Sequence, residues 1–273
     1  MMKLSIVLST QRASFSALAY KGEIETNAAK IAGLGYDGVE LAVRDPSLLD
    51  VEYIKKILFR HNLQVPAIGT GQAYGEEGLS FTHPDEKVRE AAIARIKAQV
   101  DLARHFKAQV ILGLIRGKCE KEVNSPQAFD WLREALGACA QYAVQYDTKL
   151  AMEPINRYET DLVNSVSEGM ALIEKVGANN VGLLLDTFHM NIEEPSIEES
   201  IRQAREVLFH FHVADSNRWY PGSGHIDFGQ VISILNEIGY EGWISAEILP
   251  LPDPDICAVK TIENMKQIFA KAL

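Results

Sequence analysis

Short apolar runs that alternate with longer stretches of helical spacing, from one end of the chain to the other, predict an α/β protein of the (β/α)8 barrel type. Two further observations agree. The chain has 273 residues, a length that suits one such barrel, so 1–273 reads as a single domain. No linker or low-complexity tract interrupts the alternation. A doubly wound open sheet is the alternative, but no GxGxxG follows the first apolar run.

In chain order the strands read KLSIVLS (3–9), DGVELAV (37–43), QVPAIGT (64–70) and AQVILGLI (108–115). They continue with TKLAMEP (148–154), NVGLLLD (180–186), LFHFHVAD (208–215) and GWISAEIL (242–249). Helical spacing is plainest at 85–106, 125–146 and 256–273. Ser125 before Pro126 reads as a helix entry, and Ser196 with Glu199 three residues on reads as a capping box. Gly35, Gly177 and Gly239 each close a helical run, where a left-handed cap belongs.

Composition narrows the class. Apolar residues are 47% and charged residues 23% of the chain, as in a soluble globular protein. A formal net charge of -10 opposes contact with nucleic acid, which needs a basic footprint. The opening MMKLSIVLST has no signal-peptide cleavage pattern, and no segment is long enough to span a bilayer. Cys119, Cys139 and Cys257 match no disulfide or zinc framework, which fits a cytoplasmic protein.

In such a barrel, reactive groups sit at the C-terminal ends of the strands. The last four strands carry Glu153, Asp186, His212 and Glu247 there. Strand alternation sends Leu183, Leu185, Phe211, Val213, Ile244, Ala246 and Ile248 outward and these four inward. Three carboxylates on one rim repel one another unless something positive holds them. A divalent ion does so; oxygen ligands with one imidazole suit Mn²⁺ first, with Mg²⁺ or Co²⁺ as alternatives. Other groups read as structural. Glu40 and Lys149 suit ion pairs in the barrel interior, His210 a hydrogen-bonded core position, and His61, His83 and His105 the surface.

EPINRYETD (153–161), LLLDTFHMNIEE (183–194), HFHVADSNRWYPGSGHIDF (210–228) and SAEIL (245–249) resemble the sugar isomerase/epimerase superfamily of xylose isomerase-like TIM barrels. Within it, LAVRDPS (41–47), AIGTGQAY (67–74), LSFTHP (79–84) and RYETD are most similar to the 5-keto-L-gluconate epimerases, with the D-tagatose 3-epimerases close by. The resemblance implies Glu153, Asp186, His212 and Glu247 as metal ligands and Glu153 and Glu247 as the acid–base pair. It also implies that Glu159, His189 and Arg218 contact substrate oxygens. The expected reaction inverts the carbon beside a ketone through an enediolate that the metal stabilises as a Lewis acid, one glutamate serving each face.

The expected partner is a small-molecule keto-sugar or keto-uronate, with no nucleic acid and no membrane; a homo-oligomer is compatible with the sequence. A sugar acid needs a cation for its carboxylate, and Arg44, Arg116 and Arg12 each follow a predicted strand on the catalytic rim. A neutral ketohexose would need none of them. A sugar isomerase or dehydratase would use the same metal. An endonuclease IV-like repair enzyme would need further metal ligands at the third and fourth strand ends, where the chain reads AIGTG and LGLIRG. A non-catalytic sugar-binding module would not need two opposed glutamates.

Overall fold

In the computed structural model, which describes residues 2–121 and 123–271, all the expected apolar runs become parallel strands. They are β1 (Lys3–Ser9), β2 (Gly38–Ala42), β3 (Ala67–Gly69), β4 (Gln109–Leu112), β5 (Leu150–Met152), β6 (Val181–Asp186), β7 (Leu208–Val213) and β8 (Trp243–Ala246). Each pairs with the next. β8 returns to β1 over Lys3↔Trp243 to Ile6↔Ala246, which closes the barrel. A two-residue strand, Tyr20–Lys21, pairs with Leu8 and Ser9, beyond the reach of β8. Except for β1, the laddered spans are shorter than the apolar runs.

The longer helices surround the strands: α1 (Ile24–Leu34), α2 (Val51–Arg60), α4 (Glu86–Ala103), α5 (Ser125–Ala143), α6 (Val166–Val176), α9 (Phe228–Glu237) and α10 (Pro254–Lys271). Short helices α3 (Gln72–Glu77), α7 (Thr187–Glu193) and α8 (Ile197–Gln203) lie between them in sequence. Gly35, Gly177 and Gly239 take φ of 85°, 66° and 74° after α1, α6 and α9, the left-handed closure that glycine permits without a Cβ clash.

Two of the expected caps differ. α5 is capped by Asn124, whose side chain accepts from Gln127 N–H, so Ser125 is already inside the helix. Ser196 does cap α8 through Glu199 N–H, but the Glu199 carboxylate pairs with Arg202 and makes no return bond. The reciprocal capping box is instead Ser165 with Glu168, at the start of α6.

Strand alternation divides the core. Leu183, Leu185, Phe211, Val213, Ile244 and Ala246 join the large apolar layer between strands and helices. Ala67, Ile111, Ala151 and Leu184, facing the other way, form a small cluster within the barrel. Lys149 and Glu40 do not pair inside it: the Lys149 ammonium stands 4.6 Å from the Phe209 ring centroid, and Glu40 engages two histidines.

Close packing at the start of β2 makes a testable contrast. A methyl on Gly38 would press on the Gln64 carbonyl and come within 2.8 Å of the Trp243 ring, whereas one on Gly33 in α1 meets nothing within 4 Å. Gly38→Ala should cost about 1–3 kcal/mol in urea unfolding, and Gly33→Ala should add up to about 1 kcal/mol. Equal stabilities for the two variants would refute this packing.

Candidate metal and active site

At the C-terminal rim the same alternation turns Glu153, Asp186, His212 and Glu247 into one space. One ligand-capable atom from each lies within 4.8 Å of the others. Asp186 and His212 are register partners across β6 and β7, while Glu153 and Glu247 sit one residue past β5 and β8. Glu153 N–H still donates to Leu112 O at 3.2 Å, which continues the ladder to the site. Asp186 Oδ1 accepts from Phe188 N–H at 2.7 Å and caps α7, so only Oδ2 is left facing its neighbours. At the end of β4, a Cβ on Gly113 would come within 3.2 Å of Glu153 Oε2, so the glycine leaves that carboxylate room.

Glu153 Oε1, Asp186 Oδ2 and His212 Nδ1 are all buried without a hydrogen-bond partner. Orphaned polar atoms from three strands, gathered around one space, are costly unless a ligand satisfies them. Carboxylate oxygens with one imidazole nitrogen fit a divalent ion of the Mn²⁺, Mg²⁺ or Co²⁺ kind.

The electrostatics point the same way. Burial, and then the neighbouring Glu247, push the Glu153 carboxyl well above the usual carboxylate range. Burial raises Glu247 to about 7, against the opposing pull of Arg218 and His212. Burial also opposes ionisation of Asp186, but His212 and His189 outweigh it and hold that carboxyl low. Burial disfavours the His212 imidazolium too, yet Glu40 and Asp186 raise its pKa well above the usual value. Such a cluster ionises fully only beside a strong counter-charge.

His189, in α7, is 3.7 Å from Glu153 Oε1 through Nε2. Its Nδ1 meets Asn156 Nδ2 at 2.7 Å and Asn156 N at 3.4 Å. Both partners are donors, so Nδ1 accepts and the ring proton sits on Nε2, facing the site. Burial lowers the His189 pKa to about 4, so the ring is neutral at physiological pH. Arg218 donates to Glu159 Oε1 at 2.9 Å and to Glu247 Oε2 at 3.0 Å, with its guanidinium over the Phe15 and Phe188 rings.

Glu153, Glu159, His189, His212, Arg218 and Glu247 all line one cavity at the barrel mouth. Its apolar walls include Val7, Phe15, Leu18, Leu114 and Ile155. Gly69, Thr70, Gly71, Gly113 and Leu114 occupy the third and fourth strand ends, without the extra metal ligands that a trinuclear endonuclease site requires.

The remaining arginines are placed elsewhere. Arg116 is fully buried and held by the scaffold, donating Nε to Gly113 O at 3.0 Å and Nη1 to Val163 O at 2.9 Å and Leu162 O at 3.2 Å, while Nη2 has no partner. Arg44 pairs with Glu77 at 3.5 Å, and Arg12 is exposed. None of the three lines the cavity, where Arg218 is the one arginine or lysine among the described residues. A strand-end arginine marks the rim, but its side chain is long enough to fold back into the scaffold.

Reading the sequence alone did not single out Asn156, which orients His189, or Phe15, which flanks Arg218. Nor did it assign Glu40 to histidines. For Glu40 a signal existed: in GVELA it has the alternation of an inward-facing residue.

A closed parallel barrel with this cluster at its mouth defines the class: the chain belongs to the xylose isomerase-like TIM barrel family, whose model matches residues 28–267. Among individual proteins, it is 31% identical over 235 residues to an L-ribulose 3-epimerase of Mesorhizobium japonicum, across 85% of this chain and 78% of that one. A solved L-ribulose 3-epimerase superposes with a TM-score of 0.87 at 26% identity, over 100% of this chain and 96% of the other. A D-allulose 3-epimerase from Methylomonas sp., in complex with D-allulose, superposes with a TM-score of 0.82 at 26% identity, over 97% and 96% of the two chains.

The two arginines predict different losses. Arg116→Met would leave the Leu162 carbonyl without its Arg116 donor and the Val163 carbonyl with only Ile155 N–H, at a cost of about 1–3 kcal/mol in urea unfolding. Arg44→Met breaks a partly exposed ion pair and should cost no more than about 1 kcal/mol. A smaller loss for Arg116→Met than for Arg44→Met would contradict the assignment of Arg116 to the scaffold.

Proposed function

We propose that this protein is a metal-dependent ketose 3-epimerase acting on neutral ketoses, of the L-ribulose or D-psicose kind, with Mn²⁺ as its ion and the cytoplasm as its setting. The observation that carries this reading is the pairing of Glu153 and Glu247 around the ligand cluster, in a cavity whose single arginine is already engaged by two carboxylates. The named relatives support it, because they are enzymes of the isomerase class that epimerise ketoses. A keto-uronate would bring a further negative charge into a cavity that, among the described residues, has no arginine or lysine beyond Arg218 to meet it, which favours the neutral ketose over the keto-acid expected from the sequence.

Glu153, Asp186, His212 and Glu247 would hold the ion. When bound, it supplies electrophilic stabilisation of charge on the ketone oxygen. The rest belongs to the side chains. Glu153 and Glu247 stand on strands separated by two others, so they can address opposite faces of one carbon. One takes the proton from C3, the electron pair spreads into an enediolate, and the other delivers a proton to the opposite face. Which glutamate acts first depends on which epimer enters. Neutral His189, with its proton on Nε2, donates to a substrate oxygen. Arg218 holds Glu159 and Glu247 in place, and Glu159 accepts from a substrate hydroxyl. The apolar walls exclude competing water.

The test uses Mn²⁺-loaded protein with L-ribulose, D-psicose, D-tagatose and 5-keto-L-gluconate in D₂O. The expected product is the C3 epimer of a neutral ketose carrying deuterium at C3, and Glu153→Gln or Glu247→Gln should lower kcat by about 10²–10⁴. Preferred turnover of the keto-uronate, or an aldose product, would overturn this function.

A further inference from the structure

Glu40 lies on β2, across the barrel from the ligand-bearing strands, and is 1% exposed. Its Oε2 is 2.9 Å from His212 Nε2 and 2.8 Å from His210 Nε2. An ionised carboxylate oxygen can only accept, so each imidazole must present an N–H to it. For His212 this puts a proton on Nε2 and leaves Nδ1 for the cluster. That Nδ1 is the buried, unpartnered atom, 3.8 Å from Asp186 Oδ2. A Cβ on Gly69 would stand 3.8 Å from Glu40 Oε1, so β3 leaves room for the carboxylate.

We propose that Glu40 is a positioning residue: it fixes His212 in the tautomer and ring orientation that offer Nδ1 to the metal, while His210 anchors Glu40 from the next inward position of β7. This rests on the metal-site reading above. Neutral imidazole carries one ring proton, and if that proton moved to Nδ1 the ligand lone pair would be lost. A carboxylate behind a ligating histidine also raises its basicity, and removing such a partner typically weakens metal binding 10–100-fold. Glu40, His210 and His212 also lie close enough together to suggest a second metal cluster. The direct contacts of both Nε2 atoms to a single oxygen favour a hydrogen-bonded relay instead.

The experiment titrates metal-free protein with Mn²⁺ alone in a calorimeter, beside thermal melting of the same metal-free samples. Wild type should take up one ion. Glu40→Gln keeps the side-chain shape without the charge and should bind Mn²⁺ about 10–100-fold more weakly. His210→Gln keeps an N–H donor within reach of Glu40, so the Glu40–His212 contact stays and Mn²⁺ should bind close to wild type. Unchanged affinity in Glu40→Gln, equal weakening in both variants, or two ions per chain would each overturn the proposal. Should Glu40→Gln fail to fold, ¹⁵N-histidine spectra of wild type saturated with Mg²⁺ decide: a proton on His212 Nε2 supports the proposal, and one on Nδ1 overturns it. No sugar enters these measurements. A protein that obeys this metal rule but turns over no ketose therefore sinks only the proposed function.

Discussion

Repulsion among Glu153, Asp186 and Glu247 is the constraint on which the rest of the site depends. Three carboxylates buried around one space disfavour full ionisation: burial raises Glu153 and Glu247, and neighbouring carboxylates, Glu247 at Glu153 and Asp186 at both, add to it. Every neighbouring device either tolerates the conflict or relieves it. Arg218 shares its charge between Glu247 and Glu159, α7 takes one oxygen of Asp186 as its cap, and Glu40 draws the far side of His212 away. After these contacts Glu153 Oε1, Asp186 Oδ2 and His212 Nδ1, all in the ligand cluster, are still buried without partners. A divalent ion would satisfy all three at once.

The barrel was legible because its signal is periodic. A two-residue repeat sends one set of residues to the helices and the other to the interior, and that alone placed Asp186, His212 and Glu247 on the inner face. Helix caps were legible only to within a residue: Asn124 and Ser125 are both good caps, and Pro126 is acceptable at the first or second helical position. The reciprocal box went to Ser165 and Glu168 because Glu168 is free to reach back, while Glu199 is held by Arg202.

Long side chains were the least legible part. Arg116 and Arg218 both sit on the catalytic side, but one turns into the scaffold and the other into the cavity. The difference lies with partners distant in sequence: the Leu162 and Val163 carbonyls for Arg116, and the Glu159 and Glu247 carboxylates for Arg218. Spacing along the chain carries no record of those partners. The keto-acid expectation came from a resemblance and required a rim arginine free to meet a carboxylate, and neither Arg116 nor Arg44 lines the cavity. The α7 cap shows the opposite case. Asp186 ends a strand and begins a helix in consecutive residues, so one local feature fixes which of its oxygens remains available.

One cation completing the cluster at the ends of β5 to β8 is the feature on which the proposed chemistry rests. Anomalous diffraction from a crystal soaked in Mn²⁺ and recorded at the manganese edge tests it most directly. A single strong peak is expected, bounded by Glu153, Asp186, His212 and Glu247, with Nδ1 of His212 toward it. No peak there, or a peak between Glu40 and His210 instead, would contradict it.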